Sequence, residues 1–346
     1  MMIGAAVAAL LVLPAAAGDN GWVVWPTKTF QTSSLKVDDI VGNVRVNVQD
    51  GPMRVDVSGS RAMIGGVTVK PEGSVLHIQG GEFDNFNVWD WKKWFDFSNI
   101  RDSHNGKLFI KVTVPRGTEV RVDDLVGDAN IGDTFGKVRL ATTAGDSSVG
   151  RTSEARIEMD GSGKTSVGDV AGELRLDIAG SGHIVAHNAG QVRADIAGSG
   201  DAVVGQIANG VRIDIAGSGD FTAHSVNGPV KVDIAGSGNV KIADGLANPL
   251  RVDILGAGDF FFGGLAVDPR IEAVGSGNVK IKAYKGQLKN DGMASVQIGG
   301  QTVPGNMDGD DMPPPAPPMP PHGAHPPAPP APPAPPHHSD DDDDDN

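Results

Sequence analysis

The side chains best placed for chemistry close a recurring turn: Asp201, Asp220 and Asp259, with Asn239 and Asn278 at the same position. Oxygen donors held at fixed turn positions are the ligand set of calcium, so Asp201, Asp220 and Asp259 are candidate calcium ligands. The calcium-binding β-roll, however, repeats every nine residues as GGxGxDxUx. Here the turn recurs about every 19 residues, and its last position also takes Lys164 and His183. A dedicated ion site would tolerate neither. Asp or Asn there is read first as turn chemistry, a short polar side chain bonding nearby backbone.

A second group is aromatic. The segment Glu82–Gly106 holds Trp89, Trp91, Trp94 and Phe95, with Phe83, Phe86 and Phe97, while the repeats carry few rings. Val88, Trp91, Trp94 and Phe95 fall at helical spacing. Exposed rings would form a platform for glycan or a partner surface. Packed rings, the commoner fate of large aromatics, would make the segment an insertion folded back on the body. The histidines do not converge: His183, His187 and His224 lie on separate repeats, and His322, His325, His337 and His338 sit in a low-complexity tail. That is no zinc triad. The acids of the repeats are spread one per unit rather than gathered as glycoside chemistry requires. No catalytic residue, cofactor or metal is expected beyond the calcium candidates above.

The element that positions these residues is a repeat. LRLDIAGSGH (Leu174–His183), VRADIAGSGD (Val192–Asp201), VRIDIAGSGD (Val211–Asp220), VKVDIAGSGN (Val230–Asn239) and LRVDILGAGD (Leu250–Asp259) are flanked by ARIEMDGSGK (Ala155–Lys164) and PRIEAVGSGN (Pro269–Asn278). A fixed period of this size marks a solenoid. Apolar and charged residues alternate as in a strand, and GSGD supplies glycine where positive φ is cheap. A shorter apolar run such as Phe260–Phe262 follows, then a second corner such as Ala208-Asn209-Gly210. One unit cannot bury its apolar face, but units stacked about 4.8 Å apart can. The expected fold is all-β: a single-stranded parallel β-helix (β-solenoid) with about 19 residues per rung.

Stacking predicts columns. Arg156, Arg175, Arg193, Arg212, Lys231, Arg251 and Arg270 form one outward column, and Glu158, Asp177, Asp195, Asp214, Asp233, Asp253 and Glu272 the next. Leu176, Ile213, Val232 and Val252, with Ile178, Ile196, Ile215, Ile234 and Ile254, fill the core. Like charges at rung spacing repel, and the neighbouring column of opposite sign offsets this; a network achieves more than isolated exposed pairs.

The 346 residues contain no cysteine, which excludes a disulfide framework and a lipidation site. Met1–Ala17 is apolar and ends in Ala15-Ala16-Ala17, which reads as a secretory signal; it is too short to span a membrane, so no transmembrane anchor is expected. Residues 18–34, with Trp22, Trp25 and Phe30, read as a cap over the open end of the stack. The strand pattern runs from Leu35 to Pro304, interrupted at 82–106. Residues 305–346 form a disordered tail: fifteen of the 24 prolines lie between Pro313 and Pro336, followed by Asp340–Asp345. Such a composition adopts polyproline II and cannot build a core. The net charge is −14, but nine aspartates follow Met307, leaving a nearly balanced body. No basic patch suits nucleic acid.

The GSG-turned VRVDIAGSGD grammar, and LFIKVTVPRGTEVRVDDLVGDANI at Leu108–Ile131, resemble the head GIN domain family of autotransporter-type adhesins over about Leu35 to Gly300. The resemblance implies an exported β-helical domain and brings no catalytic residues. The chain departs from a true autotransporter in lacking a C-terminal stretch suited to a membrane barrel. The sequence thus points to a non-enzymatic protein, secreted or periplasmic or at the cell surface, with an adhesin-like or envelope role. Its expected partner is an envelope polysaccharide or a surface protein. A polysaccharide-active enzyme and a calcium-dependent scaffold are the alternatives on the same fold.

Overall fold

The computed structural model describes residues 16–17, 21–81, 108–292, 295–303 and 307–308. The leader before Ala16, the ring-rich insertion with Trp89, Trp91, Trp94 and Phe95, and the Pro-rich tail fall outside these residues. Within them the protein is a β-solenoid of about nine turns, almost without helix. The exception is a four-residue turn of helix, Arg61–Ile64.

Each regular rung has a long strand, a glycine corner and a shorter strand. Val170–Gly180 and His183–Ala186 are one such pair, and Ala189–Gly198 and Asp201–Ile207 the next. Long strands stack in parallel on long strands, and short on short. The register is the one the repeat predicts: Leu174 pairs with Val192, Arg175 with Arg193, Asp177 with Asp195 and Ile178 with Ile196. Val192, Arg193, Asp195 and Ile196 then pair with Val211, Arg212, Asp214 and Ile215. Alternation does the rest, because a two-residue period sends every second side chain inward. Leu176, Ile213, Val232 and Val252 are fully buried, and Ile178, Ile196, Ile215, Ile234 and Ile254 nearly so. From the short strands Ile184, Phe221, Phe260, Phe262, Val240 and Ile242 fill the same core.

The corner needs glycine for two reasons. Gly217 has φ +136 and Gly236 has φ +136, a region that side chains avoid. The rungs also touch there: a Cβ on Gly217 would lie 2.3 Å from the Gly198 carbonyl oxygen, and one on Gly236 2.2 Å from that of Gly217.

The first half departs from simple chain-order stacking. Ser34–Asp38 and Asn43–Val48 form a rung that lies directly against Glu119–Val126 and Ala129–Ile131, in parallel. The chain between them leaves the stack and extends it at the far side. Val75–Gln79 adds a parallel strand to Ser34–Asp38. Leu108–Val114 pairs in parallel with Asn43–Val48 and antiparallel with Met53–Ser60. Trp22–Val24 and Lys28–Phe30 then pair antiparallel with Met53–Ser60, and Trp22 tilts against Phe109 with ring centroids 5.9 Å apart. Thr68–Glu72 is a hairpin partner of Val75–Gln79; Lys70, Pro71 and Glu72 at this outer strand are residues that discourage further pairing. At the other end Ser295–Ile298 stacks in parallel on Asn278–Lys285 and turns back into Gln301–Val303.

Candidate functional site

The repeated Arg-x-Asp phrase builds a lattice on the outer face of the long strands. Arg and Asp (or Glu) two residues apart point the same way, so Arg121, Arg156, Arg175, Arg193 and Arg212 each meet the carboxylate of their own rung. In Arg156, Arg175 and Arg212 a second nitrogen reaches the next rung. Arg175 donates from Nε to Asp177 (3.0 Å) and from Nη2 to Asp195 (3.3 Å). Arg212 does the same to Asp214 (2.9 Å) and Asp233 (3.2 Å). Arg139 bridges Asp123 (3.1 Å) and Glu158 (2.8 Å), and Arg156 bridges Glu158 and Asp177 (3.1 Å). The lattice thins towards the C-terminal rungs. Lys231 reaches Asp233, while Arg270 turns instead to Asp291 at 3.7 Å.

Beside the acids lies a groove of about 810 Å³. It runs across seven rungs, with one acid of the column at each: Glu158, Asp177, Asp195, Asp214, Asp233, Asp253 and Glu272. Its floor is the residue two places on, Ala179, Ala197, Ala216 and Ala235, followed by Leu255 and Val274. The last two are 65% and 42% exposed, so the groove becomes apolar where the ion pairs thin out. Sequence reasoning gave this column no role. Its signal was present as the change from DIAG to DILG at Leu255 and EAVG at Val274.

The carboxyls of this column do not titrate alike. Burial pushes Asp195, Asp214, Asp233 and Asp253 up. At Asp214 and Asp253 the neighbouring Asp233 adds to burial, and both sit above the usual carboxylate range. At Asp195 and Asp233 burial is the largest single influence, but the hydrogen bond and charge of Arg193 or Lys231, together with bonds to the neighbouring aspartates, outweigh it and hold the carboxyls below that range.

The calcium candidates occupy a different column, at the corner. Asp201 Oδ1 accepts the backbone N–H of Asp220 (3.2 Å), and Asp220 Oδ1 accepts both the backbone and the side-chain N–H of Asn239 (2.9 Å each). Asn239 Oδ1 accepts the N–H of Asp259 (3.2 Å), and Asp259 Oδ1 accepts those of Asn278 (2.8 and 2.9 Å). The side chain of each rung therefore holds the backbone of the next. This accounts for the Asp/Asn preference without an ion. A second such ladder, absent from the sequence reading, runs through Asp133 to the N–H of Arg151 (2.8 Å) and Asn188 to that of Gln206 (3.0 Å). His187 joins it through Asp169 at 2.6 Å. Among the described residues the carboxylates close enough to share an ion are Asp38, Asp39 and Asp124. In Asp124 burial and the charges of Asp38 and Asp39 raise the pKa.

Comparison with known proteins follows the same stretch of chain. The family model described as "Putative auto-transporter adhesin, head GIN domain" matches residues 36–243 and again 195–298. The chain belongs to the head GIN domain family. The two matches overlap, as a repeat of equivalent rungs allows. No curated protein matches the chain. Solved structures similar to this head GIN protein include one described as a putative lipid binding protein from Parabacteroides distasonis ATCC 8503. It is 17% identical, with 81% of this chain and 94% of that chain covered and a TM-score of 0.36. A putative adhesin from the same strain is 18% identical, with 81% and 98% covered and a TM-score of 0.33. A putative adhesin from Parabacteroides merdae ATCC 43184 is 13% identical, with 81% and 97% covered and a TM-score of 0.33. Among the described residues no helix is long and apolar enough to cross a membrane.

Proposed function

We propose that this head GIN protein is an exported, non-enzymatic, adhesin-like module that grips an extended partner, an envelope polysaccharide or a surface protein strand, in the groove along its rungs. In this reading residues 1–17 direct export, 18–34 cover one end of the stack, 35–304 form the gripping body and 305–346 are a spacer. The observation that carries it is the uniform lining of the groove. Four consecutive rungs, from Asp177 to Asp233, each offer a carboxylate beside an alanine, so a periodic chain meets the same contact at each of those steps. Most of these carboxylates are already bonded by arginine or lysine. Carboxylates spread one per rung and held by ion pairs suit a binding surface that repeats along its length.

The test is a glycan and surface-protein array on the full chain, beside the variant Ala216→Trp. Ala216 is exposed on the groove floor, so a large ring there fills the groove and leaves the core intact. Binding by the parent and its loss in the variant are expected, together with accessibility to protease at the cell surface. Binding that survives Ala216→Trp, or a chain confined to the periplasm that binds nothing, would sink the proposal.

A further inference from the structure

The short-strand face, away from the groove, changes character over the last rungs. One outward column runs Val185, Val203, Thr222, Lys241, Phe261 and Lys280. Phe261 therefore lies with a lysine in the rung on either side. A second outward pair, Leu246 and Leu265, stacks further along the same two rungs, past a register shift. Phe261 is 40% exposed, Leu246 40% and Leu265 38%. Single exposed apolar side chains are ordinary, but these three lie on two adjacent rungs. The Phe261 ring lies along the surface over Gly263, its Cε1 3.3 Å from where a Cβ would stand.

The charge around them is also unusual for this chain. Asn278–Lys285, which stacks on the strand of Phe261, carries Lys280, Lys282 and Lys285 and no acid, in a protein of net charge −14; Arg270 and Lys289 lie on the long-strand face and share Asp291. Lys241, Lys280, Lys282 and Lys285 are all exposed. Asp244, the carboxylate beside Leu246, turns its Oδ1 onto the Gly245 N–H at 2.8 Å.

We propose that this face is a docking surface for an anionic lipid bilayer. The lysines meet headgroup phosphates, and their stems lie along apolar neighbours while the ammonium groups stay in water. Phe261, Leu246 and Leu265 enter the headgroup zone, where amphipathic surfaces bury apolar area. A soluble polyanion would satisfy the lysines and leave the three apolar side chains in water, so charge and apolarity together select the membrane.

The experiment is co-sedimentation of the full chain with phosphatidylcholine vesicles and with vesicles that also contain phosphatidylglycerol. Binding is expected only to the anionic vesicles, and added salt should release it. Each lysine near an anionic surface is worth about a five-fold change in partitioning, so Lys280→Glu should weaken binding by at least that factor. Phe261→Ser should weaken vesicle binding while leaving capture by heparin beads unchanged. Thermal melts confirm that both exposed-site variants are folded. Equal binding to neutral and anionic vesicles would overturn the proposal. So would no vesicle binding, or a Phe261→Ser variant that binds vesicles like the parent.

Discussion

Asp214 and Asp233 are the same side chain in the same column, one rung apart, and Arg212 bonds both. Burial raises both, and the neighbouring Asp233 raises Asp214 further, whereas Lys231 and bonds to Asp214 and Asp253 bring Asp233 down. Asp233 also receives Lys231, and Asp195 receives both Arg175 and Arg193; these two carboxyls are held low. Asp214 has Arg212 alone and is raised. The signs then follow. A raised carboxyl opposes folding once ionised, so its contribution is favourable in acid and is lost as pH rises through its folded pKa. A lowered one contributes above its unfolded pKa and loses that contribution as pH falls through its folded pKa. Asp214→Asn should therefore leave the neutral-pH melting temperature unchanged or higher, and Asp233→Asn should lower stability by about 0.5–1 kcal/mol. Both differences should vanish in acid. Melts of the two variants across acid to neutral pH check this; equal losses at neutral pH would contradict it.

The strand-corner-strand unit depends on its glycines more than on any charge. Gly217→Ala places a side chain at φ +136 and drives its Cβ to 2.3 Å from a backbone oxygen that cannot retreat without its rung. A cost of about 3 kcal/mol or more is expected, against little for Ser218→Ala beside it; denaturant titration of both reads the difference. This unit was legible in the sequence because its period repeats the same inference many times. Register, core and both charge columns follow once Arg175 and Arg193 are placed one above the other. What was not legible lies where no period exists. Nothing local to Ser34–Asp38 says that its neighbour is Glu119–Val126, some eighty residues away, or that Met53–Ser60 turns antiparallel. Nor does a lone alanine in DIAG announce a groove floor, since a groove is a relation between rungs. The corner aspartates, read as turn chemistry, bond the backbone of the following rung rather than of their own turn.

At the scale of the whole stack, each rung touches only the ones beside it, so stability should be distributed as a chain of nearest-neighbour terms. Rungs between Val192 and Ile234 have regular neighbours on both sides. Trp22–Val24 and Gln301–Val303 have strand partners on one side only apart from short or hairpin contacts. Amide exchange should be slowest in the former and rise towards both ends; uniform protection would show instead that the stack opens as one body. The equivalence of Val211 with Val230 and of Gly217 with Gly236 has one more consequence. Removing residues 211–229 would bring Val230 to the place of Val211, with every inward and outward side chain still matched. The groove would then be shorter by one strand spacing, about 4.8 Å. Length in this protein is thus quantised: a duplication or loss of one unit resets the reach of the surface as a notch does on a ruler, and selection can adjust the size of what is gripped without redesigning the grip.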